Sequence, residues 1–242
     1  MTTLFISDLH LSAQRPTITA LFLNFLRKQA LHAEALYILG DLFEYWIGDD
    51  AAAQPDNAPI VQGLRTLTAS GVPVFIMHGN RDFLLGREFE RLTGCRLLSE
   101  PAKIKLYGET LLLMHGDTLC TDDVDYQKFR HMVRDPVWQQ LFLAKSVDER
   151  EQMARNAREM SRAAMTDKPP EIMDVNQGAV EAAIKQHGIY HLIHGHTHRP
   201  AQHQFILDGK PARRTVLGDW YEQGSVLRCE AGRWSLEGFA SV

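Results

Sequence analysis

Five short segments of this sequence carry side chains of the types that bind divalent metal ions. Each segment follows an apolar run with the length and composition of a buried strand. By chance, Gly-Asn-Arg-Asp is expected about 0.002 times in this composition, whereas a lone His-x-His is expected about 0.5 times. Recurrence of such residues after strand-like runs therefore indicates one shared site. The segments are Asp8-Leu9-His10, Gly40-Asp41, Gly79-Asn80-Arg81-Asp82, His115-Gly116-Asp117 and Gly195-His196-Thr197-His198.

These residue types indicate a site for two metal ions. Carboxylate oxygen, imidazole nitrogen and carboxamide oxygen together suit borderline-hard divalent ions such as Mn²⁺, Fe²⁺ or Zn²⁺. Side chains two residues apart at a strand end point to the same side, as Asp8 with His10 and His196 with His198 would. Two ions about 3.5–4 Å apart can deprotonate a bridging water and neutralise charge that develops on phosphorus. The pattern therefore predicts hydrolysis of a phosphoester or a phosphoanhydride.

Alternating strand and helix patterns supply the elements that position these residues. Apolar runs predict strands over 4–6, 35–39 and 74–77, and helical periodicity predicts helices starting near Pro16 and over about 59–70. Such alternation predicts a largely parallel sheet whose functional residues lie beyond the carboxyl ends of its strands. Further strands are expected over 111–114, 191–194, 215–217 and 225–229.

The segment 123–170 differs, because it contains helical patterns and no strand run. We expect helices over 124–134, 137–145 and 148–166, the last beginning with a capping box of Ser146 and Glu149. This pattern predicts a helical cap inserted into a core of residues 1–122 and 171–242. An apolar stripe and a basic stretch in the cap either bind a lipid substrate and an anionic membrane surface or simply pack and solvate its helices. The stripe is Val137, Trp138, Leu141, Phe142 and Leu143, and the basic residues are Arg150, Arg155, Arg158, Arg162 and Lys168.

Composition limits the possible partners and the cellular location. The chain has 242 residues and a net charge of −4, so it has no general attraction to nucleic acid. Three cysteines without CxxC spacing favour buried thiols in a reducing compartment. The first residues lack a signal peptide, and no apolar stretch approaches a membrane span. We therefore expect a cytoplasmic protein that contacts membranes only peripherally, with no nucleic acid and no obligate protein partner.

The order of the five motifs is similar to that of the calcineurin-like metallophosphoesterase superfamily over nearly the whole chain. Five longer blocks resemble the branch of that superfamily that hydrolyses UDP-2,3-diacylglucosamine in bacterial lipid A biosynthesis. This resemblance implies an α/β fold, an αββα sandwich with an inserted helical cap, two Mn²⁺ ions per chain, and a location on the cytoplasmic face of the inner membrane. The blocks are LYILGDLFEYWIGDD, HGNRDFLLG, MHGDTLCTDD, IMDVNQ and IHGHTHRP.

The resemblance also implies roles for individual residues. Asp41 would bridge the two ions, and Asp41, Asn80, Arg81, His115 and His196 would form the catalytic set. One ion would be bound by Asp8, His10, Asp41 and His198, and the other by Asp41, Asn80, His115 and His196. Substrate contacts would come from Asn80, Arg81, Asp123, Ser161, Lys168 and His196, with Met165 standing where the family has an asparagine.

Arg81 has a chemical rationale of its own, because many phosphoesterases have histidine at this position. Cleavage of a diphosphate expels a phosphate ester of low pKa, which needs little acid catalysis, so a guanidinium can neutralise both phosphoryl groups instead. We therefore expect metal-activated water to attack the α-phosphorus, giving UMP and 2,3-diacylglucosamine 1-phosphate (lipid X). Alternatives are a calcineurin-like pyrophosphatase or phosphodiesterase of other specificity, and a metal-binding scaffold. Asp82 is expected to orient a neighbouring His or Arg.

Overall fold

The computed structural model describes residues 2–166 and 172–240, of which residues 162–166 are described by their backbone alone. The first part of the chain alternates strands and helices, as its apolar runs predict. Its elements are β1 (Thr3–Ile6), α1 (Pro16–Lys28), β2 (Ala35–Leu39), α2 (Ala58–Ala69), β3 (Val74–Met77), α3 (Arg87–Thr93), β4 (Arg96–Leu98), β5 (Ala102–Leu106) and β6 (Glu109–Leu113).

Three consecutive helices then precede a region made mostly of strands. The helical segment has no strand within its described residues, as expected from its sequence. The elements are α4 (Val124–Arg134), α5 (Pro136–Leu143), α6 (Val147–Thr166), α7 (Gln177–His187), β7 (His191–His194), β8 (Ala201–Leu207), β9 (Lys210–Val216), β10 (Gly224–Glu230) and β11 (Arg233–Phe239).

The described strands form two sheets that face each other. One has the order β11-β10-β1-β2-β3-β4 and the other β5-β6-β7-β9-β8. Phe5, Leu39 and Met77 of the first sheet pack against Leu113 and Ile193 of the second, which forms the layer between them. Helices α1, α2 and α3 cover the outer face of the first sheet, and α7 covers the second. The predicted αββα sandwich is confirmed.

The expectation of a largely parallel sheet was too simple. Strands β1 to β4 are parallel, as are β6, β7 and β9, but β10, β11, β5 and β8 pair antiparallel at the edges. The sequence analysis missed β4, β5, β8 and β11 because their side chains alternate with polar residues or lie at exposed edges, where no apolar run is needed. Helices α3 and α7 were missed as well.

The caps of the inserted helices follow from local sequence. Asp123 accepts a hydrogen bond from the Tyr126 amide at the start of α4, and Asp135 does the same for the Val137 amide at the start of α5. The Ser146 and Glu149 capping box forms as predicted, since the Glu149 carboxylate accepts from the Ser146 amide at 2.9 Å.

All three cysteines are buried and free. Burial raises the pKa of the Cys95 and Cys120 thiols to about 12 and raises that of Cys229 as well. The thiols are therefore protonated and unreactive at neutral pH. The prediction that they are buried is confirmed.

Candidate metal centre

The seven predicted ligands all follow the carboxyl ends of strands. Three strands of the first sheet and two of the second contribute, and their ends meet at one edge of the sandwich. Asp8 and His10 follow β1, Asp41 follows β2, Asn80 follows β3, His115 follows β6, and His196 and His198 follow β7. The two sheets therefore build the centre jointly.

Asp8, His10 and His198 form one cluster, with one ligand atom of each within 4.8 Å of the others. His198 Nε2 lies 3.5 Å from Asp8 Oδ1 and 3.4 Å from His10 Nε2. Asp8 and His10 are almost fully buried, while His198 is partly exposed. This cluster thus offers one carboxylate and two imidazoles around a common point.

Asp41, His115 and His196 form the second cluster within the same 4.8 Å limit. Asn80 Oδ1 joins them, at 3.1 Å from His115 Nε2 and 3.0 Å from His196 Nδ1. Asp41 Oδ2 lies 3.8 Å from His115 Nε2 and also 3.8 Å from His10 Nε2 of the first cluster. Asp41 is therefore placed between the two clusters.

The protonation of His115 shows that this arrangement fits a cation. His115 Nδ1 lies 2.8 Å from the Leu39 carbonyl, which can only accept, so Nδ1 carries the hydrogen. Without metal, the surrounding carboxylates raise the pKa of His115 enough to keep a second hydrogen on Nε2, which donates to the Asn80 oxygen, and a bound cation would take the place of that hydrogen. Asp8 Oδ1 is likewise buried and makes no hydrogen bond within the described residues. Oxygen and nitrogen lone pairs that converge in this way suit a borderline-hard divalent ion.

Carboxylates dominate the electrostatics of the centre. Burial by itself lowers the pKa of His115, but Asp41, Asp117 and other carboxylates outweigh it and raise the pKa to about 9. Burial, followed by repulsion from His115, lowers the pKa of His196 to about 4. Burial would raise the pKa of Asp8, yet its contact with His198 brings it below the usual range. The site therefore has the negative potential that attracts cations.

The backbone is held in an unusual conformation at five of the ligands. Of the described residues other than glycine, seven have a positive φ, and five of those seven are ligands of the two clusters. Such left-handed conformations cost free energy for residues with a side chain and persist only where the surrounding structure imposes them. The five are Asp8 (57°), His10 (50°), Asp41 (54°), His196 (68°) and His198 (55°).

Glycines allow the strand ends to approach one another. A Cβ atom at Gly79 would collide with the Asp41 side chain and backbone, and one at Gly195 would collide with Asp8. Gly40 has φ +92° and would collide with His115. These positions require glycine because the ligands of neighbouring strands lie against them.

Arg81 and Asp82 have different surroundings. Arg81 is partly exposed, and its Nε atom is buried without a hydrogen-bond partner among the described residues. Asp82 accepts hydrogen bonds from the amides of Leu42 at 2.7 Å and Gly79 at 2.8 Å. Asp82 therefore fixes the turns that carry Asp41 and Asn80, and the expectation that it orients a histidine or an arginine was wrong.

The remaining predicted substrate contacts are only partly described. Asp123 lies at the start of α4, and Ser161 lies half-buried on α6. Lys168 and the Met165 side chain lie outside the described residues.

Two arginines of the predicted basic stretch contact the loop after β2 instead of facing solvent. Arg150 is 2% exposed; its guanidinium donates to the Ile47 carbonyl and pairs with Asp50. Arg158 Nε donates to Glu44 Oε1. Glu44 Oε2 in turn lies 3.4 Å from His10 Nδ1, so a chain of contacts runs from α6 to a ligand of the first cluster. The sequence analysis missed Glu44 and Asp50, although both lie in the block after β2.

Glu44→Gln tests the importance of this chain. Burial alone would raise the pKa of Glu44, but its contacts with His10 and Arg158 hold the pKa at about 2. The carboxylate therefore stays charged and can orient the His10 ring. We expect Glu44→Gln to weaken metal affinity about 10–100-fold, as loss of outer-sphere partners does.

Titration of the chelator-treated protein with Mn²⁺, followed by calorimetry, measures this affinity. Glu88→Gln removes a carboxylate of an exposed ion pair with Arg91 and is the matched control. Equal Mn²⁺ affinities of wild-type protein, Glu44→Gln and Glu88→Gln would show that Glu44 does not support His10.

Comparison with known families identifies a family whose model covers the residues of both clusters. The family model for calcineurin-like phosphoesterases matches residues 1–200 of this chain, which include all seven clustered side chains. The chain belongs to the calcineurin-like phosphoesterase family. This membership makes the chain a hydrolase of the metallophosphoesterase type. Within the described residues, the two clusters are groups that could hold divalent ions.

Within this family the chain is similar to proteins named UDP-2,3-diacylglucosamine hydrolase. One, from Stenotrophomonas maltophilia (strain K279a), is 52% identical over 99% of both chains. Another, from Serratia proteamaculans (strain 568), is 52% identical over 96% of both chains. Among solved structures, an archaeal phosphodiesterase covers 99% of this chain and all of its own with a TM-score of 0.50 and 11% identity, which supports the fold. No helix within the described residues combines the length and hydropathy needed to cross a bilayer.

Proposed function

We propose that this phosphoesterase hydrolyses the pyrophosphate bond of UDP-2,3-diacylglucosamine to UMP and 2,3-diacylglucosamine 1-phosphate, a step of lipid A biosynthesis. The observation that carries this proposal is 52% identity over nearly the full length to proteins named for that activity. The site supports it, because Asp41 lies between the two clusters and the Nε atom of the neighbouring Arg81 has no hydrogen-bond partner among the described residues.

The proposed metal ligands are the two sets that the resemblance implies. Asp8, His10, Asp41 and His198 would hold one ion, and Asp41, Asn80, His115 and His196 the other. Both ions are proposed to be Mn²⁺, for which these oxygen and nitrogen donors are suitable. When bound, the pair would activate water as a nucleophile and act as a Lewis acid towards the phosphoryl oxygens.

The chain's own groups would position the diphosphate. Arg81 offers donors of fixed geometry to both phosphoryl groups, and no described residue competes for its Nε atom. The amide of Arg81 donates to Asp41 Oδ1 at 2.8 Å, so the backbone of Arg81 is fixed relative to the proposed bridging carboxylate. Asn80, which follows β3, and His196, which follows β7, would contact the substrate as well.

Attack at the α-phosphorus is tested by hydrolysis in oxygen-18 water. We expect the label in UMP, because the lipid phosphate leaves with its own oxygens. Label in 2,3-diacylglucosamine 1-phosphate would contradict attack at this phosphorus.

The helical cap is proposed to bind the acyl chains. Of eleven exposed large apolar side chains among the described residues, eight lie on α4, α5 and α6. Phe142 and Trp138 pack against the core, whereas Val137 and Leu141 are 63% and 65% exposed. The predicted stripe is thus divided between packing and solvent. The proposed limits remain 123–170, with Asp123, Ser161, Met165 and Lys168 as substrate contacts, although the boundary at 170 lies outside the described residues.

Acyl specificity separates this function from other nucleotide-sugar hydrolysis. We expect UDP-2,3-diacylglucosamine to be hydrolysed far faster than UDP-glucosamine at equal concentration, because each buried methylene contributes about 0.8 kcal/mol. Equal rates would contradict a lipid-specific function.

The same apolar surface suits peripheral contact with the cytoplasmic face of an anionic inner membrane. Leu141→Gln is expected to reduce sedimentation with phosphatidylglycerol vesicles, whereas Leu31→Gln, at an apolar residue 43% exposed outside the cap, is not. Unchanged sedimentation of both variants would contradict membrane contact through the cap.

A further inference from the structure

A cavity of about 280 Å³ lies beside the metal centre, on the side of β8 and β9. Thr197, between His196 and His198, lines this cavity, so one loop serves both the cavity and the metal ligands. The volume is near the lower end of ligand pockets, roughly 300–1,000 Å³. It suits a single ring with part of a sugar better than a whole nucleotide.

Arg214 is a buried cation in the wall of this cavity. It is 8% exposed and makes no ion pair within the described part of the chain. Its Nη1 atom lies 3.4 Å from His194 Nε2, which can accept because His194 Nδ1 donates to the Gly195 carbonyl at 2.9 Å. Its Nε atom has no partner among the described residues. A buried cation with a free donor is costly unless a ligand supplies an acceptor.

Thr197 supplies a second free donor. Its Oγ1 atom is buried without a partner among the described residues. The carboxylate in the wall, Asp174, is already bound by Arg199 at 2.7 Å. Pro200 and Val216 add apolar surface. The wall therefore combines two unused donors with an apolar side, which suits a planar ring that carries carbonyl oxygens.

The position of the cavity relative to the cap indicates which end of the substrate it would receive. Arg158 and Arg150 of α6 contact the loop after β2, and Arg134 of α4 donates to the Gly79 carbonyl after β3. If the cap binds the acyl chains as proposed, the lipid end would lie over the first sheet and the diphosphate at the two clusters. The nucleoside end would then extend across the loop 196–198 towards the second sheet, whose strands β8 and β9 line the cavity.

We propose that this cavity binds the uracil ring of the substrate, with Arg214 and Thr197 donating to its two carbonyl oxygens. This inference rests on the proposed function, because it assumes a uridine nucleotide. Cytosine presents an amino group in place of one carbonyl and would oppose these donors. The cavity would therefore select uridine over cytidine nucleotides.

Arg214→Met tests the proposal, with Arg213→Met as the matched control. Arg213 is the neighbour on β9 and points to the opposite face of the sheet. With UDP-2,3-diacylglucosamine, we expect Arg214→Met to raise KM about 10–100-fold and to change kcat only slightly. Wild-type protein should prefer the UDP over the CDP substrate at least about tenfold in kcat/KM, and Arg214→Met should lose that preference.

A purely structural role for Arg214 predicts that Arg214→Met loses stability. If Arg214 instead binds uracil, replacing this buried cation, which makes no ion pair within the described residues, by an apolar side chain should leave the melting temperature equal or higher. A lower melting temperature together with an unchanged UDP over CDP preference would overturn the proposal.

Inhibition by UMP and by inorganic phosphate separates a base site from an anion site. Arg214→Met should weaken inhibition by UMP and leave inhibition by inorganic phosphate unchanged. Equal weakening of both would overturn the proposal, because the cavity would then hold a phosphate group. If wild-type protein hydrolyses UDP-2,3-diacylglucosamine and the KM of Arg214→Met is the same as that of wild type, the proposed uracil site is wrong and the proposed function is retained. If wild-type protein does not hydrolyse it, the proposed function fails.

Discussion

Asp41→Ala is expected to lower turnover by about 10³-fold or more, equivalent to roughly 4 kcal/mol of transition-state stabilisation. Asp41 Oδ2 lies 3.8 Å from a histidine of each cluster, so its loss removes a ligand shared by both proposed ions. Its Oδ1 also accepts from the Arg81 amide at 2.8 Å, so the variant releases the loop of the proposed phosphate-binding arginine as well. Turnover and metal content per chain measure the two effects.

The control for Asp41→Ala is Asp56→Ala, which removes an exposed carboxylate from the loop before α2. Asp56→Ala should bind two ions and react at the wild-type rate. If Asp41→Ala also bound two ions and kept its rate, the shared-ligand arrangement would be wrong.

Trp220→Ala is expected to destabilise the protein by about 3–5 kcal/mol, as truncation of a buried Trp does. The Trp220 side chain is fully buried, and its ring lies edge-on to Phe25 and Phe239 at centroid distances of 5.5 and 5.2 Å. The Trp220 amide, which the variant retains, donates to the Asp8 carbonyl at 3.1 Å, so a shift of this segment after loss of the ring would also move the backbone of a proposed ligand. We therefore expect weaker metal binding in addition to lower stability.

Urea unfolding of the chelator-treated protein measures the change in the free energy of unfolding without any contribution from bound metal. A loss of this size corresponds to a melting temperature roughly 10 °C lower for a chain of this length. Trp234→Ala, at a partly buried site on β11, should cost less than half as much. Similar losses in both variants would show that the contacts around Trp220 are not decisive.

The strands that carry the ligands could be predicted because they are buried on both faces. Such strands are continuous apolar runs, and β2, β3 and β7 match their predicted limits. Edge strands such as β8, with the sequence AQHQFIL, are largely exposed and lack that pattern. Division of the strands into two sheets was also hidden, because pairing depends on contacts between distant segments.

The five segments that carry the seven clustered side chains were identifiable because each follows a predicted strand, and the family resemblance then indicated the seven ligands within them. Contacts made by α6 were not, because Arg150 pairs with a residue 100 positions away and Arg158 with one 114 positions away. A basic residue on a helix gives no local sign of whether it faces solvent or a buried carboxylate. Only the packing of α6 on the loop after β2 distinguishes the two.

The division of the ligands between the two sheets links metal binding to folding. Asp8, His10, Asp41 and Asn80 come from the first sheet, while His115, His196 and His198 come from the second. Ions held by both would act as a clamp across the interior of the sandwich and stabilise it according to their concentration and affinity. Fragments of this chain expressed separately would accordingly capture the ions tightly only after they had reassembled.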